Sequence, residues 1–200
     1  MVPVALLQQD GEVIGAELLA PEPFSRRAQV AHERAAACLS LSPDDIRTDR
    51  HQPQVVSVGL PFLVVELASR DALRRAAPSR VAFAEVLPLD GARSIYTYTR
   101  DRGAAPAEAN SDILARAFSP RMTEDPATGS ATAAASALLA ELSAPPDGEL
   151  SLRFMQGVDM GRPSLLVART RMEAGRAIAV HVGGRCVSVM EGSLLLAEAR

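Results

Sequence analysis

The 200-residue sequence contains no lysine, and all 21 of its basic residues are arginine. That absence excludes a catalytic lysine and with it Schiff-base chemistry. It reads first as a coding bias rather than a functional cluster. Cysteine is scarce as well: Cys38 and Cys186 lie far apart, and neither belongs to a CxxC or Cys/His cluster. The expectation is two buried or half-buried free thiols rather than a disulfide, and no metal site. The net charge is only -3 and no basic run stands out, which argues against a nucleic-acid partner. No apolar run reaches membrane-spanning length. The opening Met1–Leu7 is too short, and lacks the basic flank, to read as a signal peptide. A cytoplasmic protein with no membrane partner is therefore expected. A phosphate loop and a dinucleotide fingerprint are also missing.

What the chain does have is a substantial apolar fraction, 48% of its residues, enough to bury a real core. Its length suits one large domain, or one domain plus a fragment of another. Residues 2–8 and 12–20 read as strands joined at Asp10-Gly11, a dipeptide that favours hairpin turns. Pro21 and Pro23 break that pattern. Ser25 is read as the cap of a helix over 26–39. Strands are expected at 54–58 and 62–67, with a short helix at 71–76 capped by Ser69. Further strands are expected at 81–87 and 93–99 around Asp90-Gly91, and 100–112 reads as a loop. Residues 131–142, almost purely Ala, Leu and Ser, read as a short buried helix. Strands should follow at 149–155, 164–171, 177–182 and 186–196, the last pair turned by Gly183-Gly184. Strands and helices do not alternate one for one, which argues against a doubly wound parallel sheet. An α+β fold is expected, with a strongly curved, mainly antiparallel sheet wrapped around the Ala-rich helix.

The richest stretch chemically is Glu124-Asp125-Pro126-Ala127-Thr128-Gly129-Ser130-Ala131. Two carboxylates and a proline precede Thr-Gly-Ser, and a helix of small residues starts at once. The first amides of a helix lack partners within it and, with the helix dipole, favour negative charge. Gly129 permits close approach of a ligand to the backbone, and Ser130 adds a hydroxyl. Asp125 is placed to hydrogen-bond a substrate or move a proton. A plainer reading stands beside this one: Asp and Thr ahead of a helix are ordinary capping residues. Arg162 also has two readings, as a fork for a substrate carboxylate or as a structural residue at a strand entry. His32, His51 and His181 read as structural or solvent-exposed.

Four ordered motifs give this chain a resemblance. Phe118-Ser119-Pro120 followed by Glu124–Ala131 resembles the second-lobe signature of the phenazine-biosynthesis isomerase-like (PhzF-like) family. Gln156-Gly157-Val158-Asp159-Met160-Gly161-Arg162-Pro163-Ser164 resembles that family's Gln-Gly-x-x-Met-Gly-Arg-Pro-Ser stretch. Val182–Val187 with Glu191-Gly192 resembles its closing hairpin, and Ser57–Leu63 an upstream strand-turn-strand. The resemblance implies a two-lobed fold of the diaminopimelate-epimerase type, each lobe a curved sheet around a central helix, with the active site in the cleft between lobes. It implies cofactor-free proton transfer on a small carboxylate substrate, and a homodimer. It assigns Asp125 as the catalytic-site residue. Gly129, Ser130 and Ala131, with Thr128 beside them, would bind the substrate carboxylate at the helix start. It also places residues 1–24 as remnant strands of the first lobe and 25–200 as the second. The family's first-lobe Ser-Glu-Thr-like stretch and Gly-His-Pro-Thr motif do not occur in this sequence. Three expectations follow: an isomerase that is inactive or incomplete as this chain alone, its first lobe either separately encoded or left out of a truncated gene model; a non-catalytic carboxylate-binding protein; or an assembly protein.

Overall fold

The computed structural model describes residues 2–102, 108–143 and 145–193. Among the described residues, eleven strands join in one sheet. They are β1 (Val4–Gln9), β2 (Glu12–Leu19), β3 (Ser25–Gln29), β4 (Gln54–Ser57), β5 (Pro61–Glu66), β6 (Ile95–Thr99), β7 (Ile113–Phe118), β8 (Glu124–Asp125), β9 (Gly148–Gln156), β10 (Ser164–Glu173) and β11 (Arg176–Arg185). The spatial order is β1-β2-β11-β10-β9-β7-β6-β5-β4-β3, with β8 paired to β7 off this path. All pairings are antiparallel except β5/β6 and β7/β9. The helices are α1 (His32–Cys38), α2 (Arg70–Arg75), α3 (Arg80–Val86) and α4 (Gly129–Ser143). Among the described residues no helix is long and apolar enough to cross a membrane.

The sheet curls around α4. That helix packs on β10 and β11 toward one end of the strand order and on β4 and β5 toward the other, which requires the sheet to bend around it. Its Ala131–Ala140 stretch is buried on every side, as expected of a helix with no polar face. Small side chains let the surrounding strands close in. Its two buried hydroxyls are satisfied by the sheet: Thr132 pairs with the Tyr96 phenol at 2.8 Å, and Ser136 with Thr170 at 2.9 Å. A second core lies on the opposite face of β4–β7, under α1, α2 and α3. Successive β5 residues therefore serve different cores, Phe62 and Val64 facing α4 while Leu63 and Val65 face the other helices. A strand covered on both faces reads as a continuous apolar run. On β10, where α4 covers only one face, burial alternates: Leu166, Ala168, Thr170 and Met172 are buried.

The α+β class, the curved sheet and the Ala-rich central helix match the expectation. Several local assignments differ. The expected helix at 26–39 is half strand: Ser25–Gln29 is β3, paired to β4, and the helix begins at His32, so Ser25 does not cap it. The expected strand at 81–87 is α3, with Phe83, Val86 and Leu87 buried at helical spacing. β7 had no assigned element. Gly183-Gly184 is not a turn but lies inside β11. An added Cβ at Gly183 would stand 2.5 Å from the Ala16 carbonyl oxygen, and at Gly184 2.8 Å from that of Leu165, so both glycines serve close strand approach. Residues 186–193 form no strand, and 194–196 lie outside the described residues. Cys38 is buried as expected, whereas Cys186 is exposed.

Candidate active site

The signature crosses from a strand into the central helix. Glu124 and Asp125 form β8, antiparallel to Ala117 and Phe118 of β7. Their side chains have different duties. Glu124 accepts two hydrogen bonds from the Arg116 guanidinium, at 2.9 and 2.7 Å. Arg116 also donates to the carbonyls of Leu73, Arg74 and Ala76 at the end of α2, where a cation is favoured. Its guanidinium lies 4.9 Å from the Phe118 ring centroid. Glu124 is thus a structural anchor that fixes β8 to β7 and α2. Asp125 is exposed, on the other side of the short strand.

The turn between Asp125 and α4 is held by a buried amide. Gln156, at the end of β9, is 0% exposed. Its side-chain oxygen accepts the Thr128 amide at 3.1 Å, and its nitrogen donates to the Asp125 carbonyl at 2.5 Å and the Thr128 hydroxyl at 2.9 Å. The Thr128 hydroxyl in turn donates to the Asp125 carboxylate at 2.8 Å, which also accepts the Ala127 amide at 3.3 Å. Gln156 therefore sets the orientation of Asp125 through Thr128.

This arrangement bears on the capping alternative. Asp125 and Thr128, the two residues able to cap α4, are bonded to each other and to Gln156. The first intrahelical bond is from the Thr132 amide to the Thr128 carbonyl, 3.0 Å. The amides of Gly129, Ser130 and Ala131 have no hydrogen-bond partner among the described residues. They form the positive end of a 15-residue helix, beside a carboxylate held in a fixed orientation.

The turn after Gln156 packs on the signature. Gly157 has φ +77°, and an added Cβ would lie 2.3 Å from the Arg162 carbonyl oxygen and 2.9 Å from that of Pro126. Only glycine fits the conformation and the space together. Arg70 secures the far side of this turn with two bonds to Asp159, at 3.0 and 2.8 Å, while also donating to the buried Glu108 at 2.8 Å. Arg162 sits on the turn. Its amide donates to the Gly157 carbonyl, and its side chain is exposed. Sequence reasoning gave Gln156 and Gly157 no role of their own. Their signal is a polar residue at the inner end of a strand, followed by a glycine. No group of three or more candidate metal ligands occurs among the described residues.

A curled sheet around one buried helix, with an acidic strand end running into the helix start, defines a lobe of the diaminopimelate-epimerase-like fold. The solved structure of a Bacillus anthracis phenazine biosynthesis protein of the PhzF family superposes with a TM-score of 0.77 at 20% identity, covering 98% of this chain and 64% of that one. A hydroxyproline epimerase from Agrobacterium vitis, solved with trans-4-hydroxy-L-proline, gives 0.54 at 17% identity, over 92% and 53%. The family described as phenazine biosynthesis-like protein matches residues 1–192, and the chain belongs to it. In sequence it is 32% identical to the trans-2,3-dihydro-3-hydroxyanthranilate isomerase of Pseudomonas aeruginosa over 201 aligned positions, 98% of this chain and 64% of that protein. The chain thus spans a little under two thirds of the curated relative's length.

Proposed function

We propose that this chain supplies the signature-bearing half of a cofactor-free isomerase or epimerase acting on a small carboxylate. In this reading the unpartnered amides of Gly129, Ser130 and Ala131 receive the substrate carboxylate, where the helix end favours an anion. Ser130 and Arg162 add hydrogen bonds from the rim. Asp125 contacts the reacting part of the substrate and takes part in moving its proton. The observation that carries the reading is the pairing of Thr128 with Asp125 under Gln156, which leaves the helix amides free and fixes the carboxylate beside them. Proton abstraction and return need groups on both sides of the reacting carbon, and a closed cleft to exclude water. The opposite groups belong to a facing lobe, contributed by an N-terminal part of the protein, whether joined or separately encoded. Residues 1–24 would form the near edge of that lobe, and the assembled protein would be a cytoplasmic homodimer.

Solvent-hydrogen exchange tests this directly. The assembled protein, incubated in D2O with small aromatic and aliphatic carboxylates, should place deuterium on one substrate carbon, and Asp125→Ala should abolish the incorporation. Turnover that survives in Asp125→Ala would overturn the assignment. The exposure of the signature supports a second reading, in which this chain binds a carboxylate without turning it over. That reading predicts saturable binding, weakened by Ser130→Ala, with no deuterium incorporated by the chain alone.

A further inference from the structure

Away from the signature, a histidine, a tyrosine and a glutamate form a buried chain. Glu66 and Tyr98 are register partners on β5 and β6. His51 comes from the segment that leads into β4. All three are at most 7% exposed. The His51 Nε2 lies 2.7 Å from the Tyr98 hydroxyl, which lies 3.0 Å from Glu66 Oε2. At the other end, His51 Nδ1 lies 2.8 Å from the Gln52 carbonyl oxygen. The His51 and Tyr98 rings stack, with centroids 5.9 Å apart.

Counting hydrogens decides the protonation of this chain. A carbonyl oxygen only accepts, so the contact to Gln52 requires a hydrogen on Nδ1. The contacts from Nε2 to the Tyr98 oxygen, and from that oxygen to Glu66, require one hydrogen each. Three hydrogens are needed in all. A neutral imidazole and a phenol bring two, and an ionised carboxylate brings none. The third is one proton beyond that count. With it on His51, the imidazolium donates to Tyr98 and Tyr98 donates to a carboxylate. With it on Glu66, the carboxylic acid donates to Tyr98 and Tyr98 donates to a neutral imidazole. Both patterns satisfy all three contacts.

We infer that His51, Tyr98 and Glu66 hold one shared proton through neutral pH, and that this proton makes a pH-sensitive latch fastening the 47–53 segment to β5 and β6. The charged groups around it are few. Arg100 donates to Glu66 Oε2 at 3.1 Å from the end of β6. Arg47, Asp49 and Arg50 act from the latched segment, and Arg26 from β3. Burial, the leading cause in each case, lowers the His51 pKa and raises that of Glu66. Both directions favour the carboxylic acid with neutral imidazole.

The pH consequence has a definite sign. In the unfolded chain Glu66 and His51 titrate near 4.3 and 6.5. Between about those values the unfolded pair also carries one proton, so stability from this source is level. Above about pH 6.5 the unfolded pair carries none while the folded one keeps its own. Each pH unit then weakens the folded state about tenfold relative to the unfolded, until the latch itself deprotonates. Below about pH 4.3 the unfolded pair carries two protons, and stability falls again as the pH drops.

The test is proton uptake on refolding at about pH 8, measured by calorimetry in buffers of different ionisation enthalpy, for the wild type and Glu66→Gln. The glutamine amide can donate to Tyr98 without any extra proton, so it reproduces the bonding of the carboxylic acid. The expected result is that the wild type takes up one proton more than the variant. Equal uptake would overturn the inference. Should Glu66→Gln fail to fold, nitrogen-15 NMR of His51 together with carbon-13 NMR of the Glu66 carboxyl in the wild-type protein decides. One of the two groups protonated throughout about pH 5 to 7.5 supports the latch, and an ionised Glu66 beside a neutral His51, or an independent His51 titration near about 6.5, overturns it.

Discussion

Replacing Gln156 by Leu removes the clamp on the signature while keeping the volume of the side chain close to constant. Three hydrogen bonds are lost, and two backbone groups are left without their protein partner, the Thr128 amide and the Asp125 carbonyl. A stranded buried polar group costs about 1–3 kcal/mol. Asp125 is exposed and its carbonyl can regain water, so it falls at the low end. Thr128 is half-buried, so its amide belongs toward the upper end. The leucine offsets part of this by burying apolar surface in place of the amide, about 1 kcal/mol. The expected net loss is about 2–4 kcal/mol, read in urea as a lower midpoint with an unchanged slope. Carboxylate binding should fall as well, because Thr128 is freed to turn its hydroxyl toward the helix amides. A variant within about 0.5 kcal/mol of wild type, with binding intact, would refute the role given to Gln156.

Two glycines of the same turn separate conformational strain from steric contact. Gly157 and Gly161 both have positive φ, but an added Cβ at Gly161 meets nothing within 4 Å. Gly161→Ala should cost about 1 kcal/mol, and Gly157→Ala several-fold more, by the same urea titration. Arg116→Leu strips the carbonyls at the end of α2 and leaves Glu124, 14% exposed in its side chain, without its cation. It should destabilise by about 3 kcal/mol, more than Glu124→Gln, in paired thermal melts. Burial pushes the Cys38 thiol up to about 11, so at about pH 8 it stays protonated. One thiol, Cys186, should react quickly with a colorimetric disulfide reagent in the native protein, and the second only after unfolding.

How far the sequence could be read depends on where each element finds its partner. The Ala-rich helix was legible because small apolar residues without a polar face have few other uses. The β1–β2 hairpin was legible because Asp10-Gly11 is a local signal, both residues adopting positive φ. Residues 81–87 misled because Val81, Phe83 and Ala84 also fit a strand. The buried set at 83, 86 and 87 shows itself as helical only against the sheet. Gly183 and Gly184 misled in a different way. A glycine pair can mark a turn or a close approach, and their neighbour β2 lies at the other end of the chain. The signature was recognisable as a motif, but the division of labour between its carboxylates was not. Glu124 is committed by Arg116, which lies on β7, a strand the pattern had not revealed. Gln156 was visible only as a motif member, because its three partners come together only in the fold.

The central claim is that the start of α4 is a carboxylate half-site. Its most direct test is a titration of the nitrogen-15-labelled protein with small aromatic and aliphatic carboxylates, following backbone amide shifts. Saturable shifts should centre on Gly129, Ser130 and Ala131 and weaken in Asp125→Ala and Ser130→Ala. Saturable binding that leaves those three amides unmoved, or that both variants leave unchanged, would contradict it.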